Sequence, residues 1–171
     1  MANNKSKANL GKAWEDRIIQ KCLDYRKENR AFIIKIPTEF TLIRGKMGKV
    51  VSAFPREKSI LDFTGVLRDG QCLFIEAKSH NNKTSFSLNL IKPHQYDLAK
   101  EILQYTDLCF YFVYFKALDK SYLVHTSQVE TFMQENERKS IPTSWFDKHG
   151  IVVDNDTFDF LTHIENYSNN N

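Results

Sequence analysis

The chain has 171 residues and a mass of 20.0 kDa, room for one domain with a substantial core. Apolar residues make up 42% and aromatics 13%, with six Gly and four Pro, which excludes a disordered chain and a fibrous repeat. The formal charge of +3 conceals a partition: Met1 to Lys58 holds 14 basic and 6 acidic residues, net +8, and Ser59 to Asn171 holds 10 and 15, net −5. A basic N-terminal part suggests a face for a polyanion, although a solvated basic helix would carry the same charge. Cys22, Cys72 and Cys109 form no Cys-x-x-Cys pair. They point to reduced thiols and a cytoplasmic protein rather than a zinc knuckle. The opening residues lack an apolar signal core and no apolar run is long enough to span a membrane, so neither export nor membrane insertion is expected.

Leu10, Trp14, Ile18, Cys22 and Tyr25 recur at helical spacing, which predicts an amphipathic helix over 9–29 capped by Asn9, with Lys12, Arg17, Lys21 and Lys27 on its other face. Residues 31–36 read as a strand ended by Pro37. Two β-like runs, 40–44 and 49–54, then flank Gly45-Lys-Met-Gly48. From Thr41 to Lys58 the chain has five basic residues and one acidic, the composition of a projecting basic hairpin or of a routine surface one. Strand-like runs at 59–67 and 71–79 surround Arg68-Asp69-Gly70, a hairpin signal. Pro93 opens a helix to about Tyr105, 108–115 reads as a strand covered on both faces, and 121–125 as its antiparallel partner. Ser127 is expected to cap a helix to about Arg138, Pro142 to start a short one, and 156–167 to form the last. The order predicts an α/β or α+β layer structure around one mixed sheet.

Asp62 is followed by Glu76-Ala-Lys78. Glu-x-Lys is a weak signal, and Glu137-Arg-Lys139 repeats it in a wholly polar run where the charges read as solvated. Glu76 and Lys78 instead interrupt an apolar strand, where an unpartnered carboxylate is costly. If Arg68-Asp69-Gly70 is a three-residue loop, partner numbers sum to 138 and Asp62 stands opposite Glu76, their Cβ atoms about 5 Å apart. A two-residue Asp69-Gly70 turn shifts the sum to 139 and puts the carboxylates on opposite faces. Apposed carboxylates call for a cation between them, and Mg²⁺ or Mn²⁺ suits two carboxylates, waters and a phosphate oxygen. Lys78, on the face of Glu76, could stabilise developing charge or orient an attacking water. The bland alternative is an Asp62–Lys78 or Glu76–Lys78 ion pair at a sheet edge.

Asp62-Phe-Thr-Gly65, Phe74-Ile-Glu-Ala-Lys78, Asn82-Lys-Thr-Ser-Phe86, His94-Gln95 and Arg138-Lys-Ser-Ile141 resemble, in order and at compatible spacing, the motifs of RecU-type Holliday junction resolvases. The resemblance runs from about Asn9 to the C-terminal helix. It implies a restriction endonuclease-like core, a homodimer, Mg²⁺ dependence with Mn²⁺ as substitute, and paired nicks across a four-way DNA junction in recombination and repair. It also implies a stalk entering the junction, a recombinase contact, and these roles: Asp62 and Glu76 as metal-binding carboxylates, Lys78 as catalytic lysine, Gln95 as active-site glutamine and Glu15 as a helix-one carboxylate near the metal. Arg44, Lys46, Lys49, Arg56 and Lys58 would line DNA along the stalk, with Phe54 stacking on bases or anchoring the hairpin base. Lys83, Thr84 and Ser85 are candidate phosphate contacts. The five histidines show no metal-ligand spacing and most read as surface residues.

The short N-terminal region and stalk depart from cellular members, as a phage or mobile-element copy would. On this reading residues 1–8 and 168–171 are flexible tails around a single nuclease domain, 9–167, with the stalk inserted at about 41–58. Two other readings stay open: a non-catalytic DNA-binding or recombinase-modulating module, and a nuclease for other branched or duplex DNA. No base-reading surface is identifiable for sequence-specific cutting.

Overall fold

Ten strands and five helices are described by the computed structural model, which covers residues 2–37, 40–55 and 61–169. Helix α1 (Ala2–Lys27) leads into β1 (Ala31–Lys35), and β2 (Phe40–Arg44) and β3 (Val50–Pro55) pair as a two-stranded sheet of their own. Next come β4 (Phe63–Leu67), β5 (Cys72–His80), β6 (Ser85–Ser87), α2 (Pro93–Ile102), β7 (Cys109–Phe115) and β8 (Lys120–His125). The chain closes with α3 (Thr126–Glu135), β9 (Ser140–Pro142), α4 (Thr143–His149), β10 (Ile151–Val153) and α5 (Phe160–Asn169). The main sheet has the order β1-β4-β5-β7-β8-β10; β5 and β7 are parallel and the other pairs antiparallel. This is the mixed α/β architecture expected from the order of elements.

The sheet is covered on both faces at β7, which is why that strand reads as a nearly continuous apolar run. One face, with Ile33, Phe63, Ile75, Phe110 and Phe112, packs against Trp14, Ile18, Cys22 and Tyr25 of α1 and Phe160, Leu161 and Ile164 of α5. The Trp14 indole donates to the Phe112 carbonyl at 3.2 Å and stacks on Tyr114, fixing α1 on the sheet. The other face, with Tyr111, Val113, Phe115, Tyr122 and Val124, packs against Val129 and Phe132 of α3 and Phe146 of α4. Ala99 and Ile102 of α2 pack against Leu61 and Cys109. Gly65 permits the close approach of β1: a Cβ there would lie 2.6 Å from the Phe32 carbonyl oxygen.

Several boundaries differ from expectation. Helix α1 starts at Ala2 and runs through Asn9, so Asn9 is not its cap, and α5 continues to Asn169. The cap of α3 is His125, whose ring accepts the Ser127 N–H, and α3 ends at Glu135. His125 is buried rather than a surface residue. Pro142 precedes α4 instead of opening its first turn. Strands β6, β9 and β10, three residues each, are too short to leave a sequence pattern. Strand β4 begins at Phe63, and residues 56–60 lie outside the described part. Among the described residues no helix is long and apolar enough to cross a membrane.

Candidate active site

The β4–β5 hairpin sets the site. Phe63 pairs with Ile75 and Val66 with Cys72, the register whose partner numbers sum to 138. Gly70 adopts φ +93, the conformation a three-residue loop requires of its last position. Leu67 N–H donates to the Gln71 carbonyl at 2.9 Å, closing the loop. Continuing that register places Asp62 opposite Glu76, and each is tied to the other's strand. The Asp62 N–H donates to Glu76 Oε2 at 3.2 Å, and the Ala77 N–H donates to Asp62 Oδ2 at 2.9 Å.

Helix α2 supplies the third side. Pro93 is compatible with the first helical position because no intrahelical partner is needed for its missing N–H. Gln95 caps the helix: its Oε1 accepts the Lys92 N–H at 3.1 Å. The same amide reaches the strand, with Nε2 donating to Glu76 Oε1 at 2.6 Å and Oε1 accepting from Lys78 Nζ at 2.9 Å. Lys78 Nζ also donates to Glu76 Oε1 at 2.5 Å. Asp62, Glu76, Lys78 and Gln95 therefore converge as one hydrogen-bonded group under the N-terminal turn of α2.

Its electrostatics are out of balance. Glu76 is 1% exposed, and burial, then the neighbouring Asp62 carboxylate, push its pKa up to about 7 against the opposing pull of Lys78. The Glu76–Lys78 ion pair that the sequence also allowed is present, yet one lysine faces two carboxylates. Hard oxygen donors in like-charge apposition fit a cation of the Mg²⁺ class, which binds through one or two carboxylates and keeps several waters. Asp62 and Glu76 are the carboxylates whose placement could hold such a cation.

The other candidate residues stand apart. Glu15 is ion-paired with Lys35, next in sequence to Ile36, whose N–H donates to the Asp62 carbonyl at 2.8 Å. Lys35 pairs with Phe63 and so faces the α1 side, whereas Glu76 faces the α2 side. Lys83 and Thr84 are exposed in a loop held by Asn82, whose Oδ1 accepts the Thr84 N–H at 2.9 Å, and by Thr143, which donates to the carbonyls of Lys83 and Thr84. Ser85 begins β6. Arg44, Lys46 and Lys49 are exposed on the hairpin, and the Arg44 guanidinium donates to the Gly48 carbonyl at its turn. Phe54 lies in β3 with its side chain outside the described part, as are Arg56 and Lys58 entirely. Sequence reading passed over Tyr111, the β7 neighbour of Glu76, because an apolar run reads as core. Its hydroxyl is buried without a hydrogen-bond partner among the described residues, and burial, then the Glu76 charge, raise its pKa.

The family model described as recombination protein U matches residues 9–168. The Holliday junction resolvase RecU of Geobacillus kaustophilus (strain HTA426) is 30% identical over 154 residues, 85% of this chain and 76% of that protein. Its counterpart in Oceanobacillus iheyensis is 30% identical over 148 residues, 82% of this chain and 75% of that one. Among solved structures, Archaeoglobus fulgidus Hjc, a Holliday junction resolvase from an archaeal hyperthermophile, aligns over 86% of this chain and 91% of its own, at 12% identity and a TM-score of 0.40. With a family match over nearly its whole length and these motifs in place, the chain belongs to the RecU family, recombination protein U.

Proposed function

We propose that this chain is a structure-specific DNA endonuclease that resolves four-way junctions by Mg²⁺-dependent phosphodiester hydrolysis, placing symmetric paired nicks as a homodimer. The observation that carries the reading is the apposition of Asp62 and buried Glu76 beside Lys78, in a family whose relatives are named Holliday junction resolvases. Asp62 and Glu76 would hold the cation, which when bound supplies Lewis acidity to a phosphate oxygen and lowers the pKa of water. An ammonium has three donors, and Glu76 and Gln95 take two from Lys78. The third is free for a phosphate oxygen or the attacking water. Gln95 holds Lys78 and Glu76 in one arrangement and is itself held by the turn it caps, so the group is preorganised.

The β2–β3 hairpin suits the branch point. It forms its own small sheet, and Arg44, Lys46 and Lys49 on it have no carboxylate partner among the described residues. Two opposed strands need two sites, and each chain has one such group, hence the C₂ pair.

A synthetic mobile four-way junction and a linear duplex of equal length, each incubated with Mg²⁺ or with chelator, test this reading. Symmetric nicks in the junction alone, dependent on Mg²⁺ and lost in Asp62→Ala with binding retained, are expected. Equal cutting of the duplex, or unchanged cutting by Asp62→Ala, refutes it. Lys46→Ala with Lys49→Ala should weaken junction binding and lower the salt slope by about two, with less effect on hydrolysis at saturating DNA.

A further inference from the structure

The basic charge of the N-terminal part divides once its partners are known. Lys27 pairs with Asp24, Lys35 with Glu15, and Arg30 with Asp159 and Glu165. Arg17 donates to the Asn155 carbonyl and lies over the Phe158 ring. Arg26, in the last turn of α1, is exposed and has no carboxylate partner among the described residues; its guanidinium lies 4.1 Å from the centre of the Phe32 ring. A guanidinium stacked in this way keeps its in-plane donors for a ligand. Arg68, in the β4–β5 loop, is exposed and likewise has no ion-pair partner among the described residues. Both line a surface cleft of about 290 Å³ with Arg30, Phe32 and Val66.

The cleft has a defined relation to the carboxylates. Strand alternation puts Asp62, Thr64 and Val66 on one face, and Phe32 and Ile34 of the edge strand pair with Val66 and Thr64. Phe32, Ile34 and Val66 are 49, 41 and 39% exposed, so this strip is left open between the two places. From Asp62 to Val66 is about 13 Å at the rise of a strand. Successive phosphates of one duplex strand lie about 7 Å apart once helical rotation is added to the rise of about 3.4 Å, so that distance spans about two nucleotides.

We propose that Arg26 and Arg68 hold the sugar–phosphate backbone of the DNA arm that leaves the scissile phosphate across this strip, about two nucleotides from the cut. The inference rests on the endonuclease reading and adds a contact to it. Arg30, neutralised by Glu28, Asp159 and Glu165, is scaffold; the charge offered to phosphate comes from Arg26 and Arg68. An extended phosphodiester fits better than a free nucleotide because the arginines lie at the end of an open strip.

The full-length protein with Arg26→Ala and Arg68→Ala together, and with Arg68→Ala alone, tests it on a four-way junction across a salt series in chelator. Each lost arginine should lower the slope of log affinity against log salt by about 0.9, and the double variant should bind about tenfold more weakly at moderate salt. Phosphate-ethylation interference in the wild type should include a position about two nucleotides from the cut, absent in the double variant. If the wild type neither binds nor cuts junctions, the endonuclease reading falls. If it does both while the variants keep its slope and interference pattern, the cleft proposal alone falls. A double variant that sediments at lower mass than the wild type without DNA identifies the cleft as a contact between copies and overturns the proposal.

Discussion

Two carboxylate clusters lie on opposite sides of the main sheet and are built by opposite rules. In the first, Asp159 accepts from the Tyr25 hydroxyl at 3.0 Å, the Arg30 guanidinium at 3.1 Å, and the Thr162 hydroxyl and N–H at 2.7 and 3.2 Å. Burial alone would raise its pKa, but these donors hold it down to about 2. In the second, Glu76 is almost wholly buried, faces the Asp62 carboxylate, and accepts from Lys78, the Gln95 amide and the Asp62 N–H; its pKa goes up. Depth and donors both separate the two carboxylates: the Asp159 side chain is 31% exposed and has four donors, whereas burial is the first cause of the raised Glu76 pKa. Asp159 is satisfied by the donors around it, and Glu76 shares its buried surroundings with a second carboxylate.

The contrast can be broken at either end. Glu76→Gln keeps the shape and removes the charge: cleavage should fall about a thousandfold or more while the melting temperature holds or rises, read by junction nicking and thermal unfolding. A large drop in melting temperature would place Glu76 with the structural cluster. Arg30→Ala should do the reverse, costing about 2 kcal/mol in urea unfolding because Asp159 and Glu165 lose their shared cation, with kcat per folded molecule unchanged. Gln95→Ala frees both Lys78 and Glu76 and should lower kcat about tenfold to a hundredfold with KM little changed, the signature of lost positioning.

The smallest effects are the pH dependences, and they differ in sign. Asp159 is held below its ordinary value, so between about 3.8 and about 2 the unfolded chain binds the extra proton and stability is lost as the pH falls. Glu76 is held above its ordinary value of 4.5, so from there to about 7 the native protein binds the extra proton and metal-free stability is lost as the pH rises. Urea midpoints from pH 2 to 8 in chelator should show both slopes, and saturating Mg²⁺ should flatten only the second. A second slope that persists in Glu76→Gln would assign it to another group.

The cluster around Glu76 was far more legible in the sequence than the one around Asp159. A hairpin loop with Gly70 offered two registers, one of which apposes Asp62 and Glu76, and the Pro93 helix start placed Gln95 in a first turn. These are local relations, set by a few residues of turn and cap chemistry. The cluster around Asp159 joins the end of α1 to the start of α5 across more than a hundred residues, and nothing in the run Phe158-Asp159-Phe160 announces Arg30 as its partner. The same holds for β6 with β9 and β10 with β8, whose pairing is decided by tertiary neighbours. The Glu15 carboxylate is likewise engaged by a partner that no motif specifies, Lys35.

The parallel pairing of β5 with β7 has a consequence for connectivity. Strands in that relation are joined by a crossover, here α2, so Glu76, Lys78, Gln95 and Tyr111 are successive stations of one strand–helix–strand unit, to which the preceding hairpin attaches Asp62. All the converging groups thus lie on one uninterrupted run from Asp62 to Phe115. Opening the chain between α3 and β9 would leave every covalent link among them in place.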